Sequence, residues 1–187
     1  MTDVTKIQAG ANRFWGPLSR LGVLLAAWVF GLDQLSKFWI LKIVNLDERP
    51  PIQITPFADL AMAWNEGVSY GLLTTNAQMV LVVMSLVITA VLWIWLARAA
   101  HPLSAAALGL IIGGALGNVL DRLIYGAVAD FFSFHAFGFY WYIFNVADVW
   151  IAVGVGLILI ESFFPTLFAH RGEENSGSDG PAGSQGS

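Results

Sequence analysis

The sequence predicts an all-α membrane protein, with four transmembrane helices that carry a small extracytoplasmic β-sheet and an aromatic segment at the membrane interface. Three observations lead there. Hydrophobic residues make up 57% of the 187-residue chain and charged ones only 12%, about half the charged fraction of a soluble domain. The mean hydropathy of +0.67 reflects more apolar surface than a fold of this size can hide from water by itself. Finally, four windows come close to the roughly 20 apolar residues a helix needs to cross about 30 Å of hydrocarbon.

The first span, about 18–41, follows Lys6, Arg13 and Arg20. A basic head before an apolar run can be a cleavable secretory signal. Here the run continues past Asp33 with no convincing small-residue cleavage site, so a retained helix is expected. Residues 45–76 contain Pro50, Pro51 and Pro56, which exclude a continuous helix, while Ile52 and Ile54 and then Leu60, Met62 and Trp64 alternate at the strand period. That predicts the sheet. Spans two and three, 77–97 and 103–122, are apolar, and no charge falls within 77–97 or 103–120. Helix three carries Ala105, Gly109, Gly113 and Gly117 at every fourth position, a stripe that lets a neighbouring backbone approach closely. Ala152 and Gly156 form a shorter version on helix four, and tight bundle packing is expected of both.

Nine of the fourteen residues 131–144 are Phe, Tyr or Trp, a density that suits the headgroup boundary. The fourth span, 142–164, is interrupted by Asp148 and Glu161, and Glu161 is expected to snorkel toward water. Residues 1–171 are expected to form one membrane domain, and residues 172–187, with five Gly and four Ser, a disordered hydrophilic tail. Four spans put both termini on one side. Placing them in the cytoplasm sets Lys6, Arg13, Arg20, Arg98 and Arg171 inside and Lys37, Lys42, Arg49 and Arg122 outside, the arrangement the positive-inside tendency favours.

Several chemistries drop out by absence. The chain has no cysteine, hence no disulfide, thiolate metal site or Cys nucleophile. Its net charge of -4 offers no footprint for nucleic acid. Neither an H-E-x-x-H zinc motif nor a G-x-S-x-G elbow occurs, and His135, inside the aromatic stretch, reads as an interfacial residue rather than a ligand. No metal or organic cofactor is expected.

What remains is acid chemistry. A charge at the centre of a membrane helix costs about 2.5 to 3.5 kcal/mol on insertion scales, so each one needs a partner or a purpose. Asp33 and Lys37 stand four apart and can pair on one helical face. Asn118, Asp121 and Arg122 cluster at the end of helix three; Asp121 is expected to pair with Arg122 and to orient rather than catalyse. Asp130 and Asp148 have no Lys or Arg within seven positions and flank the aromatic stretch. Two carboxyls brought together at a dry boundary cannot both ionise, so one proton is shared and the pair offers an acid and a base. The rival for Asp148 is a helix cap, because it follows Asn145 by three at the start of helix four. A proton-coupled transporter using intramembrane carboxylates and a non-catalytic scaffold are the competing functional classes.

The ordered motifs carry more. They are Asp33-Gln34-Leu35-Ser36-Lys37, Asn65-Glu66-Gly67-Val68-Ser69-Tyr70, Gly113-Gly114-Ala115-Leu116-Gly117-Asn118-Val119-Leu120-Asp121-Arg122, Val128-Ala129-Asp130-Phe131 and Phe144-Asn145-Val146-Ala147-Asp148. Together with four spans, this series resembles lipoprotein signal peptidase, also called signal peptidase II, a family of bacterial membrane aspartic peptidases. The resemblance implies an endopeptidase of the bacterial inner membrane, its active site near the outer face. Such an enzyme removes signal peptides from diacylglyceryl-modified prolipoproteins by cutting before the lipidated cysteine. It implies Asp130 and Asp148 as the catalytic pair, with Asn118, Arg122 and Asn145 shaping the site and Asn65, Gly67, Asp33, Lys37 and Asp121 at other motif positions. The sheet and the aromatic stretch would correspond to the family's cradle and mobile flap. Membrane lipids and the lipidated precursor are the implied partners, and no oligomer is required. Ser69-Tyr70, where Ala-Phe is more usual, and Ala129, where a second Val is common, depart from the pattern.

Overall fold

The computed structural model describes residues 14–67 and 77–164. Ser69-Tyr70, the basic residues Lys6, Arg13 and Arg171, and the segment 172–187 lie outside the described residues. Helix α1, Ser19–Phe38, runs on into a wider π-helical turn, Trp39–Val44. It ends where Asn45 turns left-handed at φ 51 and returns its N–H to the Ile40 carbonyl. The span is therefore Ser19–Val44, three residues longer at its outer end than the hydropathy window, because the π turn continues the helix past Lys42.

Strands β1 (Ile52–Thr55) and β2 (Ala58–Asn65) pair antiparallel where the alternation predicts them. Strand β3 (Val128–Ala136) adds to β2, and β4 (Phe139–Tyr140) closes a four-stranded sheet in the order β1-β2-β3-β4. Between β3 and β4 the chain reverses through Phe137 and Gly138, both at positive φ (53 and 80), the two-residue turn that matches strand twist. The aromatic stretch is thus part of the sheet. Its first residues pack inward, with Phe131 buried, while Phe137, Phe139, Tyr140, Trp141 and Tyr142 are exposed.

Helices α2 (Ala77–Ala97), α3 (Pro102–Tyr125) and α4 (Val146–Phe163) complete the chain. Pro102 occupies the first turn of α3, and His101 accepts the Leu103 N–H at 3.2 Å. Helix α4 starts at Val146 rather than at 142 because Asn145 and Asp148 form a reciprocal capping box, each side chain accepting from the other's backbone N–H. Among the described residues, four helices are long and apolar enough to cross a membrane.

Helix α3 is the central one. It packs against the other three, and half of its 24 residues are buried, whereas α1, α2 and α4 turn apolar faces outward for lipid to cover. Its glycine stripe makes that possible: a methyl group at Gly109 would strike the Gly22 carbonyl, at Gly113 the Ala26 carbonyl and Val29, and at Gly117 the Asp33 carboxylate. The expectation for helix four needs correcting. Gly154 is the residue packed there, against the Ala107 carbonyl and Ile111, while Gly156 faces open space and Ala152 is exposed. The pitch of α4 turns the 152/156 row away from α3. Glu161 keeps 23% of its side chain accessible. Both of its carboxylate oxygens lie 2.7 Å from Ser104 Oγ, tying α4 to the first turn of α3.

Candidate active site

Asp130 and Asp148 come from different kinds of element. Asp130 is the third residue of β3 and is almost fully buried; Asp148 is in the first turn of α4. Asn145 stands between them. Its Nδ2 donates to Asp130 Oδ1 at 2.6 Å and to Asn118 Oδ1 at 3.1 Å, while its backbone N–H reaches Asp148 Oδ2 at 3.2 Å. Asn118 Nδ2, from α3, donates to Asp148 Oδ1 at 2.9 Å. Asn65 Nδ2, at the end of β2, takes Asp130 Oδ2 at 3.0 Å. Each oxygen of the two carboxyls therefore accepts from an amide, and none of these donors is charged.

The Asn65 amide is held in turn. Its Oδ1 accepts the Gly67 N–H at 2.9 Å, a local turn that Gly67 closes at φ +81, backbone space that favours glycine. A side chain at Gly67 would also run into Leu81. An open cleft of about 560 Å³ lies beside Asp130, lined by Trp64, Asn65, Glu66, Gly67, Tyr142 and Ile143 among others. Burial pushes the Asp130 carboxyl up to about 6, and the Asp148 charge adds to that, opposed by the amides of Asn65 and Asn145. The Asp148 capping reading holds alongside this placement: the same carboxyl that closes the box on Asn145 also takes the Asn118 amide.

The pairing expected at the end of α3 is different in the structure. Asp121 does not pair with Arg122; it lies 2.7 Å from Lys37 Nζ of α1. Successive residues on a helix point about 100° apart, so Asp121 faces α1 while Arg122 follows Asn118 on the next face. Arg122 Nη1 donates to the Asn118 carbonyl at 3.2 Å. Among the described residues its buried Nε has no hydrogen-bond partner. The pair expected within α1 is present, Lys37 Nζ to Asp33 Oδ2 at 2.8 Å. His135 meets Asp59 of β2, Nε2 to Oδ2 at 3.0 Å, and its ring lies against Tyr140.

A family model described as signal peptidase (SPase) II matches residues 25–164. The chain belongs to the signal peptidase II family. Among similar proteins, a lipoprotein signal peptidase of Methylocella silvestris is 43% identical over 160 residues, covering 84% of this chain and 94% of the relative. Another, of Rhodopseudomonas palustris, is 45% identical over 150 residues, covering 76% and 92%. A solved bacterial membrane enzyme, determined by the in meso method, superposes with a TM-score of 0.68 at 27% identity, covering 82% of this chain and 94% of that one. Membership makes this protein a membrane aspartic peptidase and sets the transporter reading aside.

Sequence reasoning passed over some residues of this site. Gln34 Nε2 donates to Asp33 Oδ2 at 3.1 Å, to the Gly117 carbonyl at 3.3 Å and to Asp121 Oδ1 at 3.3 Å. A long amide between two motif charges was its only signal. Trp64, Tyr142 and Ile143, which wall the cleft, look in sequence like any interfacial residues.

Proposed function

We propose that Asp130 and Asp148 are the catalytic pair of an aspartic endopeptidase that removes the signal peptide from diacylglyceryl-modified prolipoproteins, cutting before the lipidated cysteine. The observation that supports this best is the Asn145 bridge, which joins the buried carboxyl on β3 to a half-buried one on α4 through hydrogen bonds of 2.6 and 3.2 Å. With one proton on the pair, the ionised carboxyl takes a proton from water as its oxygen bonds to the scissile carbonyl carbon. The protonated carboxyl stabilises the developing oxyanion, and a proton then passes to the nitrogen as the C–N bond breaks.

A lipidated precursor is confined to the bilayer, so its scissile bond arrives at headgroup depth, where the sheet and the dyad stand together at one end of the bundle. Apolar helix surface gripping the acyl chains and the signal helix supplies positioning energy. The protein works in the bacterial cytoplasmic membrane, with both termini cytoplasmic and the dyad near the outer face; lipids and the precursor are its partners. Asp130→Asn and Asp148→Asn should each abolish cleavage of a diacylated precursor in a purified assay while the protein still inserts and folds. Cleavage at the wild-type rate by either variant would refute the assignment.

A further inference from the structure

A second polar cluster lies behind the dyad, and the peptidase chemistry proposed above does not use it. Lys37 Nζ is almost wholly enclosed and touches three groups: Asp33 Oδ2 at 2.8 Å, Asp121 at 2.7 Å and Asn118 Oδ1 at 3.1 Å. The side chains of Asp33 and Asp121 are equally shut off from the surface. Removing three charged groups from solvent is costly, and a buried ion cluster rarely returns that cost as net stability against apolar residues of the same volume. Stability alone is therefore a weak reason for this cluster.

Its outward contacts provide a better one. Asp33 Oδ1 accepts the backbone N–H of Ala147 at 3.0 Å, and Asp121 Oδ2 accepts that of Ala129 at 3.2 Å. Ala147 immediately precedes Asp148, and Ala129 immediately precedes Asp130. Lys37's third contact, Asn118, holds the Asp148 carboxyl and takes the Asn145 amide that holds Asp130. Two paths from Lys37 thus reach one member of the dyad each through the main chain, and the third reaches both through side-chain amides.

We infer that Lys37 is a positioning residue: its ammonium group, clamping Asp33 and Asp121, sets the backbone at Ala129 and Ala147 and so fixes the spacing and aim of the Asp130 and Asp148 carboxyls. This inference rests on the dyad reading. Small errors in placing catalytic groups slow chemistry far more than they weaken binding through distant parts of the substrate.

The test is steady-state cleavage of a diacylated precursor by the full chain in detergent or liposomes, with folding followed by thermal unfolding. Lys37→Met should lower kcat by about 100-fold and leave KM within about twofold, as expected when catalytic groups are misplaced. Wild-type kcat, or a loss confined to KM, overturns the inference. Should Lys37→Met fail to fold, the neutral triple variant Asp33→Asn, Lys37→Met, Asp121→Asn decides. A fall in kcat at unchanged KM and melting temperature supports the positioning role. Wild-type kcat, or failure of the triple variant to fold as well, refutes it, because the cluster is then dispensable or serves stability. Controls carrying Asp130→Asn or Asp148→Asn keep the two readings apart: if either control still cleaves, the dyad itself is wrong.

Discussion

At the residue scale, Asp130 and Asn145 carry the tightest arguments. Burial holds the Asp130 carboxyl at about 6, above its ordinary 3.8. The folded state therefore keeps this proton more tightly than the unfolded chain does. The group's contribution to stability is fully present below pH 3.8 and is lost as pH rises through about 6. The melting temperature of the wild type, measured against Asp130→Asn, should accordingly decline across that window; a difference that does not change with pH would contradict the burial argument. Catalysis by a shared proton adds that kcat/KM, which reports the free enzyme, falls on the same rise in pH. Asn145 has two duties that substitution separates. Asn145→Ser and Asn145→Ala both lose the amide that holds Asp130 and should share a large loss of kcat, but serine still caps α4. The alanine variant should be less stable by about 1 kcal/mol in thermal or denaturant unfolding.

Among the elements, α3 decides how closely the other helices approach. Gly113→Ala would press a methyl group into the Ala26 carbonyl and the Val29 side chain of α1, and overpacking of this kind costs about 1–3 kcal/mol. Gly156 faces open space, so Gly156→Ala should be neutral or gain up to about 1 kcal/mol of helix propensity. Unfolding of the two variants in one detergent measures the contrast. Both glycines belong to rows of small residues spaced by four in the sequence, yet only the α3 row meets a neighbour. Periodicity shows that a face is smooth; which face turns inward depends on the pitch and cap of the helix. On α4 the inward face carries Gly154, about 200° round the helix from Gly156, so Gly154 is packed and Gly156 is not. Strands β1 and β2 were legible for a simpler reason, since an alternation of period two interrupted by prolines has few other solutions.

On the scale of the whole molecule, the polar groups are distributed unevenly. Lys37, Asp33, Asp121, Arg122, Asp130 and Asp148 gather at the sheet end of the bundle, and Glu161, Ser104 and His101 lie at the other. A relay across the membrane would need acids spread through its depth; a peptidase acting on a lipid-anchored chain needs them at one rim. Topology can be tested directly because the chain contains no cysteine. In intact spheroplasts, Phe137→Cys at the exposed hairpin tip should react with a membrane-impermeant maleimide, and Arg98→Cys, in the turn between α2 and α3, only after permeabilisation. The reverse pattern would put the dyad on the cytoplasmic side.

The sequence by itself determined which four segments are apolar enough to enter lipid, that residues 45–76 hold strands, and which polar residues stand where a membrane makes them expensive, because hydropathy, period and composition are properties of neighbouring residues. That the aromatic stretch supplies β3 and β4 came only from the fold. Apart from the Asp33–Lys37 pair, four positions apart on one helix, tertiary structure decided which charge answers which. Asp121 chose Lys37 over the adjacent Arg122, and Asp33 reached the Ala147 N–H 114 positions away. The physical reason is that a buried charge pairs with whatever the packing brings within about 3 Å, and in this bundle that is set by glycines on α3 that let two backbones nearly touch.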